Sequence, residues 1–203
     1  MISGHPSLYE QKRSLRHQML ALRNSMPAEE LDKLSSQIVA RLLELPELSN
    51  ARMVSTYLHK GSEVRTNEIV KWLLCNDKRV IVPITDRVNR RLIFSELKAP
   101  EKELERGAFG ILEPKREFRR LVPLEEADLV LVPAIAWDML GYRIGYGVGF
   151  YDRSINSLSK QVPKIGLSYE FQIVKSIPRT RYDRRVEKIV TERRVIAAER
   201  KPQ

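Results

Sequence analysis

Short apolar runs recur along this chain, and segments with the period of an α-helix separate most of them. Runs at residues 53–58, 80–84, 128–133 and 164–169 have the length and composition of buried strands. Between the first two runs, residues 66–74 predict a helix capped by Thr66. Apolar strands that alternate with helices form mainly parallel sheets covered on both faces. The chain of 203 residues, 42% of them hydrophobic, is therefore expected to fold as a single α/β domain with a three-layer, Rossmann-like α/β/α arrangement.

Two amphipathic segments precede the first strand and make residues 1–47 a helical N-terminal part. One helix is predicted over residues 8–22, and a second begins at Pro27 and carries apolar residues as far as Leu45. Further strands are predicted at residues 92–97 and 186–190, an extended segment at residues 107–114, and a helix at residues 151–158. The charged tail at residues 196–203 is expected to fray.

The sequence GYRIGYGVGFYDR at residues 141–153 combines four glycines with two arginines and a carboxylate. Glycines let the backbone adopt positive φ and bring its N–H groups close to an anion. Arg143 can hold a phosphate oxygen through its planar fork of donors, and Asp152 can hold a metal ion. The spacing matches neither the G-x-G-x-x-G fingerprint nor the P-loop, and on the glycines alone a tight turn is an equally good interpretation. Ligands of parallel sheets bind at the carboxyl ends of strands, where this segment is predicted to lie.

The formal net charge of +10 gives the protein a positive field that attracts polyanions. Basic clusters lie at residues 87–91, 115–120 and 179–185, but no RNA-binding pattern of aromatic and basic residues accompanies them, so nucleic acid is a secondary hypothesis. The single cysteine, Cys75, lies in an apolar segment with no residues spaced for zinc, which favours a buried thiol. No apolar run has the length of a signal peptide core or a membrane span, so a soluble cytoplasmic protein with no membrane partner is expected.

The glycine-rich segment resembles the signature of 5-formyltetrahydrofolate cyclo-ligase, a family also called 5,10-methenyltetrahydrofolate synthetase. Further similar segments follow in the family's order: KRSLR at residues 12–16, EVRT at 63–66, FGI-x-EP at 109–114, VP at 132–133 with Asp138, GLSY at 166–169 with Gln172, and IVTE at 189–192. The similarity spans nearly the whole chain, and the glycine-rich signature with its Tyr-Asp-Arg ending is fairly specific. The resemblance therefore carries implications for both fold and activity.

The resemblance implies an ATP- and Mg²⁺-dependent enzyme that converts 5-formyltetrahydrofolate to 5,10-methenyltetrahydrofolate and releases ADP and phosphate. In that family's mechanism the formyl oxygen is phosphorylated, N10 of the folate attacks the activated carbon, and phosphate departs as the ring closes. A formyl oxygen is a poor leaving group until it is phosphorylated. The protein would mainly align the two substrates and stabilise charge on the transferred phosphoryl group.

The resemblance also implies roles for particular residues. The catalytic residues would be Arg143, Tyr151 and Asp152. ATP would be bound by Lys12, Arg13, Arg16, Arg143, Gly145, Tyr146, Gly147, Val148, Gly149, Phe150 and Tyr151. The folate would be bound by Leu58, Glu63, Tyr146, Gly147 and Phe150. The metal ligands would be Asp152 and Glu187.

Structural interpretations stand beside these roles: a solvated basic helix face for Lys12 and Arg16, an ordinary exposed carboxylate for Glu63, and core packing for Leu58 and Tyr151. The chain also departs from the family pattern at two positions. Phe150 stands where the family usually has a tyrosine, so a hydroxyl contact is lost, and Glu187 stands where the family commonly has an aspartate. Two alternatives to the cyclo-ligase remain open: a non-enzymatic descendant that binds nucleotide or RNA through its basic surface, and an ATP-dependent ligase that acts on a different one-carbon carrier.

Overall fold

The computed structural model describes residues 6–156, 158 and 162–198. The α-helices are α1 (Leu8–Asn24), α2 (Ala28–Leu43), α3 (Pro46–Asn50), α4 (Asn67–Cys75), α5 (Pro100–Glu103) and α6 (Phe150–Asn156). The strands are β1 (Met53–Ser55), β2 (Arg79–Asp86), β3 (Arg91–Leu97), β4 (Leu104–Arg106), β5 (Leu112–Pro114), β6 (Leu129–Val132), β7 (Ala136–Asp138), β8 (Arg143–Ile144), β9 (Lys164–Leu167), β10 (Ile173–Val174), β11 (Lys188–Val190) and β12 (Val195–Ala197). Short 3-10 turns lie at Ala108–Gly110, Arg116–Phe118, Leu124–Glu126 and Glu170–Gln172. Among these residues, no helix combines the length and the apolar character that crossing a bilayer requires.

A seven-stranded sheet in the order β12-β11-β9-β6-β1-β2-β3 forms the centre of the molecule. The inner strands β11, β9, β6, β1 and β2 run parallel to one another, and the edge strands β12 and β3 are antiparallel to their neighbours. In the sheet, β2 lies on one side of β1 and β6 lies on the other, so the order of the strands reverses at β1. Such a reversal opens a crevice at the carboxyl ends of β1 and β6. The mainly parallel α/β fold predicted from the sequence is confirmed.

Each face of the sheet has its own hydrophobic core, because successive side chains of a strand point to opposite faces. One core joins Val54, Val80 and Leu129 of the sheet to α2 and α4. The other joins Met53, Ile81, Val130 and Val132 of the sheet to Ile155 of α6 and to the 3-10 turn at Leu124–Glu126. Helices therefore cover both faces, as the three-layer prediction requires.

The N-terminal helices differ in what they bury. A capping box starts α1, since the Ser7 hydroxyl accepts from the Glu10 N–H and the Glu10 carboxylate accepts from the Ser7 N–H. Arg23 is the only residue of α1 in the fully buried class. By contrast, α2 buries an apolar face, and the short helix α3, which the sequence analysis did not separate from α2, buries Leu48. The helical segment before the sheet thus ends at Asn50 rather than near residue 47.

The expectation that residues 196–203 fray is wrong for the part of the tail that the structure describes. Strand β12 pairs antiparallel with β11, and the side chain of Ile196 is buried in the second core. This pairing satisfies the backbone of an otherwise open sheet edge, and the apolar contact adds to it. Residues 199–203 lie outside the described ranges, as does residue 157 in the predicted helix over 151–158.

A second, three-stranded sheet has the order β10-β7-β8, and its β7–β8 hairpin comes between β6 and the glycine-rich loop in the chain. Asp138 holds the β7–β8 turn, because its Oδ1 accepts from the N–H groups of Leu140 and Tyr142 at 3.0 Å and its Oδ2 accepts from the Ile177 N–H at 3.2 Å. The glycine-rich segment therefore follows β8 and not β6 directly. The β7–β8 hairpin thereby directs the glycine-rich segment toward α1.

Several local predictions need correction. The run at residues 53–58 is a strand only as far as Ser55. Thr66 occupies the residue before α4 but does not cap it, since its backbone is already helical and its hydroxyl accepts from the His59 N–H. Residues 107–114 are not uniformly extended, because Phe109 has a φ of +58° and a turn precedes β5. Cys75 is exposed at the last turn of α4 rather than buried.

Candidate active site

Basic side chains of α1 reach the C-terminal half of the chain. The Lys12 ammonium contacts both carboxylate oxygens of Asp183, at 2.6 and 2.8 Å. Arg16 Nε donates to the carbonyl oxygen of Gly145 at 2.8 Å, which ties the helix to the start of the glycine-rich loop. Lys12 and Arg16 are four residues apart and therefore share one face of the helix. Arg13 lies between them in sequence and is exposed.

The glycine-rich loop, residues 145–149, uses its glycines for backbone geometry. Gly147 has a φ of +100° and Gly149 a φ of +73°, and both values fall where residues with a Cβ are strained. Tyr146, just before Gly147, and Val148, between the two glycines, are exposed. The loop ends where Phe150 begins α6, and the Arg153 N–H donates to the Gly149 carbonyl. The sequence therefore folds here into a tight, accessible loop.

Arg143 and Asp152 meet at the base of this loop. Arg143 Nη2 lies 2.8 Å from Asp152 Oδ1, and the arginine is buried whereas the aspartate is partly exposed. Burial lowers the pKa of Arg143, and the carboxylates of Asp152 and Asp183 oppose that effect. The Arg184 N–H also donates to Asp152 Oδ1, at 3.3 Å. Asp152 is therefore the direct partner of the buried Arg143, and Asp183, which pairs with Lys12, acts on it only electrostatically.

Glu63 lies in the loop that follows β1 and is only 6% exposed. Its Oε2 accepts from the Lys60 N–H at 2.8 Å, and its Oε1 accepts from the Tyr146 hydroxyl at 2.9 Å. Burial is the main cause that raises the pKa of Glu63. The interpretation of Glu63 as an ordinary exposed carboxylate is wrong. Each carboxylate oxygen can accept a further hydrogen bond from a ligand.

Tyr146 connects the glycine-rich loop to the Glu63 loop. Its hydroxyl donates to Glu63 and accepts from Arg23 Nη2 at 3.0 Å. Desolvation and the neighbouring carboxylate of Glu63 raise the pKa of Tyr146 to about 12. The hydroxyl is therefore protonated at neutral pH and acts as a fixed hydrogen-bond donor.

Tyr151 and Leu58 have more buried environments than Tyr146. The Tyr151 hydroxyl is shielded from solvent and has no hydrogen-bond partner within the described ranges, and burial raises the pKa of this hydroxyl. A buried polar group without a partner costs free energy, so a ligand that supplies a partner would bind favourably there. Leu58 is buried in the first hydrophobic core, which supports the packing interpretation for that residue.

Glu187 lies apart from the contacts made by Asp152. Its Oε2 accepts from the Lys164 N–H at 2.7 Å, and its Oε1 lies 3.0 Å from the Lys164 ammonium. Lys164 begins β9, so this pair is at the amino end of the parallel strands. Ligand crevices of such sheets lie at the opposite end. Within the described residues no group of three or more acidic, histidine or cysteine side chains is placed to hold a metal.

The sequence analysis missed Arg23 and Asp183. Arg23 lies seven residues after Arg16, so helical spacing places it on a similar face, but no motif marks it. Asp183 lies within the basic cluster at residues 179–185, and the arginines around it make this segment read as basic in the sequence. The structure brings both into contact with predicted site residues, Arg23 with Tyr146 and Asp183 with Lys12.

The site takes residues from the segments after β1 and β6, the two neighbouring strands at which the strand order of the sheet reverses. The Glu63 loop follows β1, and Ala134, whose carbonyl accepts from Arg23, follows β6. The glycine-rich loop and Asp183 come from the C-terminal half, and α1 contacts both. The arrangement combines several basic side chains, two carboxylates and a buried hydrogen-bond acceptor with an accessible glycine loop.

Comparison with known proteins identifies the family of this chain. The 5-formyltetrahydrofolate cyclo-ligase family matches this chain over residues 9–192. A 5-formyltetrahydrofolate cyclo-ligase of Haemophilus influenzae is 26% identical over 175 residues, which cover 86% of this chain and 94% of that protein. The corresponding protein of Mycolicibacterium smegmatis is 30% identical over 151 residues, 73% of this chain and 78% of that one. The NMR structure of Aquifex aeolicus 5,10-methenyltetrahydrofolate synthetase has a TM-score of 0.81 and 31% identity and covers 95% of each chain. The chain therefore belongs to the 5-formyltetrahydrofolate cyclo-ligase family.

Proposed function

We propose that this protein converts 5-formyltetrahydrofolate to 5,10-methenyltetrahydrofolate with ATP and Mg²⁺ and releases ADP and phosphate. The observation that carries the proposal is the contact between the glycine-rich loop and Glu63, made by the Tyr146 hydroxyl at 2.9 Å. A phosphate loop and a buried carboxylate acceptor thereby lie side by side. Transfer of a phosphoryl group to a folate requires such proximity of the two substrates.

On the nucleotide side, Lys12, Arg16 and Arg143 supply the positive charge. Backbone N–H groups of residues 145–149 can approach phosphates closely because no Cβ intervenes at Gly147 and Gly149. The Arg143 guanidinium, held in a buried position, can stabilise charge on the transferred phosphoryl group without reorganising. Arg13 is exposed and adds only long-range attraction.

On the folate side, Glu63 is the acceptor for N–H groups of the pterin, and Tyr146 and Lys60 fix the orientation of its carboxylate. Tyr151 offers its hydroxyl, which has no partner in the described residues, as a contact to a bound substrate. Gly147 on the glycine-rich loop and Phe150 at the start of α6 would form the boundary between the two substrates. Leu58 supports this side from within the core.

The donor set at the base of the loop fits a magnesium ion. Mg²⁺ in phosphate-transfer sites is held by one or two carboxylates together with phosphate oxygens. Asp152 contacts Arg143 directly, and Asp183, paired with Lys12, acts on the same arginine electrostatically. These two aspartates would hold the ion, and Glu187, which is bonded to Lys164, would not. Bound Mg²⁺ would neutralise phosphate charge and orient the triphosphate.

A spectrophotometric assay tests the proposed activity. Purified protein, ATP, Mg²⁺ and 5-formyltetrahydrofolate should generate the near-ultraviolet absorbance of the methenyl product, and omission of ATP should abolish the signal. A different formylated pterin in place of the folate tests the choice of carrier. The proposal fails if no product forms at high enzyme concentration although both substrates bind.

No observation specifically favours the RNA-binding alternative. Arg179 stacks over the ring of Tyr142, Arg181 over the ring of Tyr182, and Arg184 bonds to Asn156. These contacts engage much of the cluster at residues 179–185 with groups of the same chain. The cytoplasmic location stays a prediction from the sequence.

A further inference from the structure

Arg23 is buried at the end of α1 and touches three separate segments of the chain. Its Nε donates to the Ser62 hydroxyl at 3.0 Å, its Nη1 to the Ala134 carbonyl at 3.2 Å, and its Nη2 to the Tyr146 hydroxyl at 3.0 Å. The side chain is only 2% exposed. These partners belong to the loop after β1, the end of β6 and the glycine-rich loop. One guanidinium thus fixes the relative position of all three.

The hydrogen bonds through Tyr146 have a defined direction. Arginine has only donors, so the Tyr146 oxygen must accept from Arg23. The single hydroxyl proton of Tyr146 is therefore directed to Glu63. Breaking the contact with Arg23 would leave this tyrosine free to rotate its hydroxyl, and Glu63 would lose a fixed donor.

Tyr146 is held by its hydroxyl although much of its side chain faces solvent. Its residue surface is 51% exposed, yet its hydroxyl is held between Arg23 and Glu63. A half-exposed side chain can leave such a contact for solvent without opening the core, and the flanking glycines permit the loop to follow. In the structure the loop is engaged with Glu63 through Tyr146, and loss of these contacts would release it.

We propose that Arg23 is a positioning residue that couples the nucleotide and folate sites, by holding Tyr146 of the glycine-rich loop against Glu63. The inference rests on the proposed function, which assigns the loop to ATP and Glu63 to the folate. Either ligand favours the arrangement in which Tyr146 contacts Glu63. The first ligand to bind therefore orders the loop, and the free-energy cost of ordering it is no longer part of the binding of the second ligand. Thermodynamic linkage requires this effect to be reciprocal.

Binding measurements test the coupling without turnover. Isothermal titration calorimetry gives the Kd of a non-hydrolysable ATP analogue with Mg²⁺, in the absence and in the presence of saturating 5-formyltetrahydrofolate. In the wild-type protein we expect the folate to tighten nucleotide binding by roughly 5- to 150-fold, the usual range for coupled sites. The reverse titration should give the same factor.

Variants separate coupling from a purely structural role. Tyr146→Phe removes the hydroxyl that joins Arg23 to Glu63 and should bring the coupling factor close to one. Arg23→Met should do the same, and Arg23→Lys, which keeps the charge but not the fork, should restore coupling only in part. Arg41→Met is the matched control, since Arg41 is a partly buried arginine that donates to the carbonyls of Thr191 and Glu192. That variant should retain the wild-type factor.

The outcomes distinguish this inference from the proposed function. Wild-type protein that binds both ligands without coupling, or Tyr146→Phe protein with undiminished coupling, would overturn the inference and leave the cyclo-ligase proposal intact. Failure of the wild type to bind either ligand would instead overturn the proposed function and the inference with it. If Arg23→Met does not fold, Tyr146→Phe decides the question, because its side chain lies half in solvent.

Discussion

Arg143 and Asp152 form a 2.8 Å ion pair in which the arginine is buried and the aspartate is partly exposed. The proposed function assigns the arginine to phosphate and the aspartate to Mg²⁺. In the absence of ligands, each group neutralises the other and so limits the cost of charge in the crevice. Lys12 and Asp183 form a second such pair at the same site. When Mg·ATP binds, the basic members of these pairs would contact phosphate and the aspartates would contact Mg²⁺, so the charges of the site would stay balanced.

Replacement of Asp152 should affect both turnover and stability. Asp152→Ala should lower turnover by roughly 100-fold or more, as expected for loss of a group that acts on the transition state. It should also lower the free energy of unfolding by about 1–3 kcal/mol, because buried Arg143 loses its carboxylate partner. Asp152→Asn keeps an acceptor oxygen and should recover part of the stability but little turnover. Urea unfolding and the absorbance assay measure both effects, and a fully stable Asp152→Ala protein would show that the pair contributes nothing.

The two candidate second carboxylates should respond differently. Glu187→Gln should keep turnover and Mg²⁺ dependence within about 2-fold and should cost less than about 1 kcal/mol of stability, because the bond to Lys164 is half exposed. Asp183→Asn should raise the Mg²⁺ concentration at half-maximal rate by about 10-fold. Titration of activity with MgCl₂ at fixed ATP measures this. If Glu187→Gln raised the Mg²⁺ concentration at half-maximal rate more than Asp183→Asn did, Glu187 and not Asp183 would be the metal ligand.

Burial of Glu63 makes a definite prediction for the pH dependence of stability. Its pKa is raised above the ordinary value of 4.5, chiefly by desolvation, so the folded state favours the protonated form. This contribution to stability is complete below the ordinary pKa and is lost as pH rises through the higher folded-state pKa. The unfolding free energy of the wild type minus that of Glu63→Gln should therefore fall as pH rises above the ordinary pKa of 4.5. Urea unfolding at a series of pH values measures the difference, and a rise with pH would contradict the assigned burial effect.

The sequence predicts the central architecture well because strand burial leaves a strong pattern. The runs around Ile81 and Val130 are apolar at residues 80–84 and 129–132, and the run around Val54 is interrupted only by Ser55 and Thr56, since both faces of the sheet are covered by helices. The edges leave a weaker pattern. Strand β12 has three residues and only Ile196 buried among them, so its charged surroundings suggest a frayed tail. The β7–β8 hairpin is similarly short, and its turn depends on the side chain of Asp138 rather than on a standard turn sequence.

The site is predictable where a motif is contiguous and unpredictable where contacts join distant segments. The resemblance identifies the glycine-rich loop and Glu63. It gives no reason to pair Arg23 with Tyr146, which are 123 positions apart, or Lys12 with Asp183, which are 171 apart. Long basic side chains such as Arg23 are usually exposed, so its burial cannot be inferred from residue type. Only the folded backbone shows that Glu187 lies with Lys164.

Two glycines with equal backbone geometry test the role of the loop. Gly149 and Gly110 both have a φ of +73°, so alanine should cost a similar strain of about 1 kcal/mol at either position. Only Gly149→Ala should weaken binding of a non-hydrolysable ATP analogue, by about 10-fold, because only that residue lies in the loop proposed to hold phosphate and its new Cβ would come within 3.3 Å of Arg153. Gly110→Ala is the control for strain alone. Calorimetric Kd values that are equal for the two variants would argue against phosphate binding by this loop.

The attachment of α1 to the glycine-rich loop also bears on the order in which parts of the chain fold. Lys12 and Arg16 contact residues 171 and 129 positions further along the chain. Contacts of such long sequence separation require closure of a large loop and are slow to form. The two cores of the central sheet depend mainly on α2, α4, α6 and the strands, whereas Leu15, Met19 and Leu20 of α1 pack on a smaller cluster that includes Ile135 and Ile144. The central sheet and its two cores can therefore form before α1 docks. Under the proposed function, a chain in that state would be compact but would lack the contacts of Lys12 and Arg16 on which the nucleotide site depends.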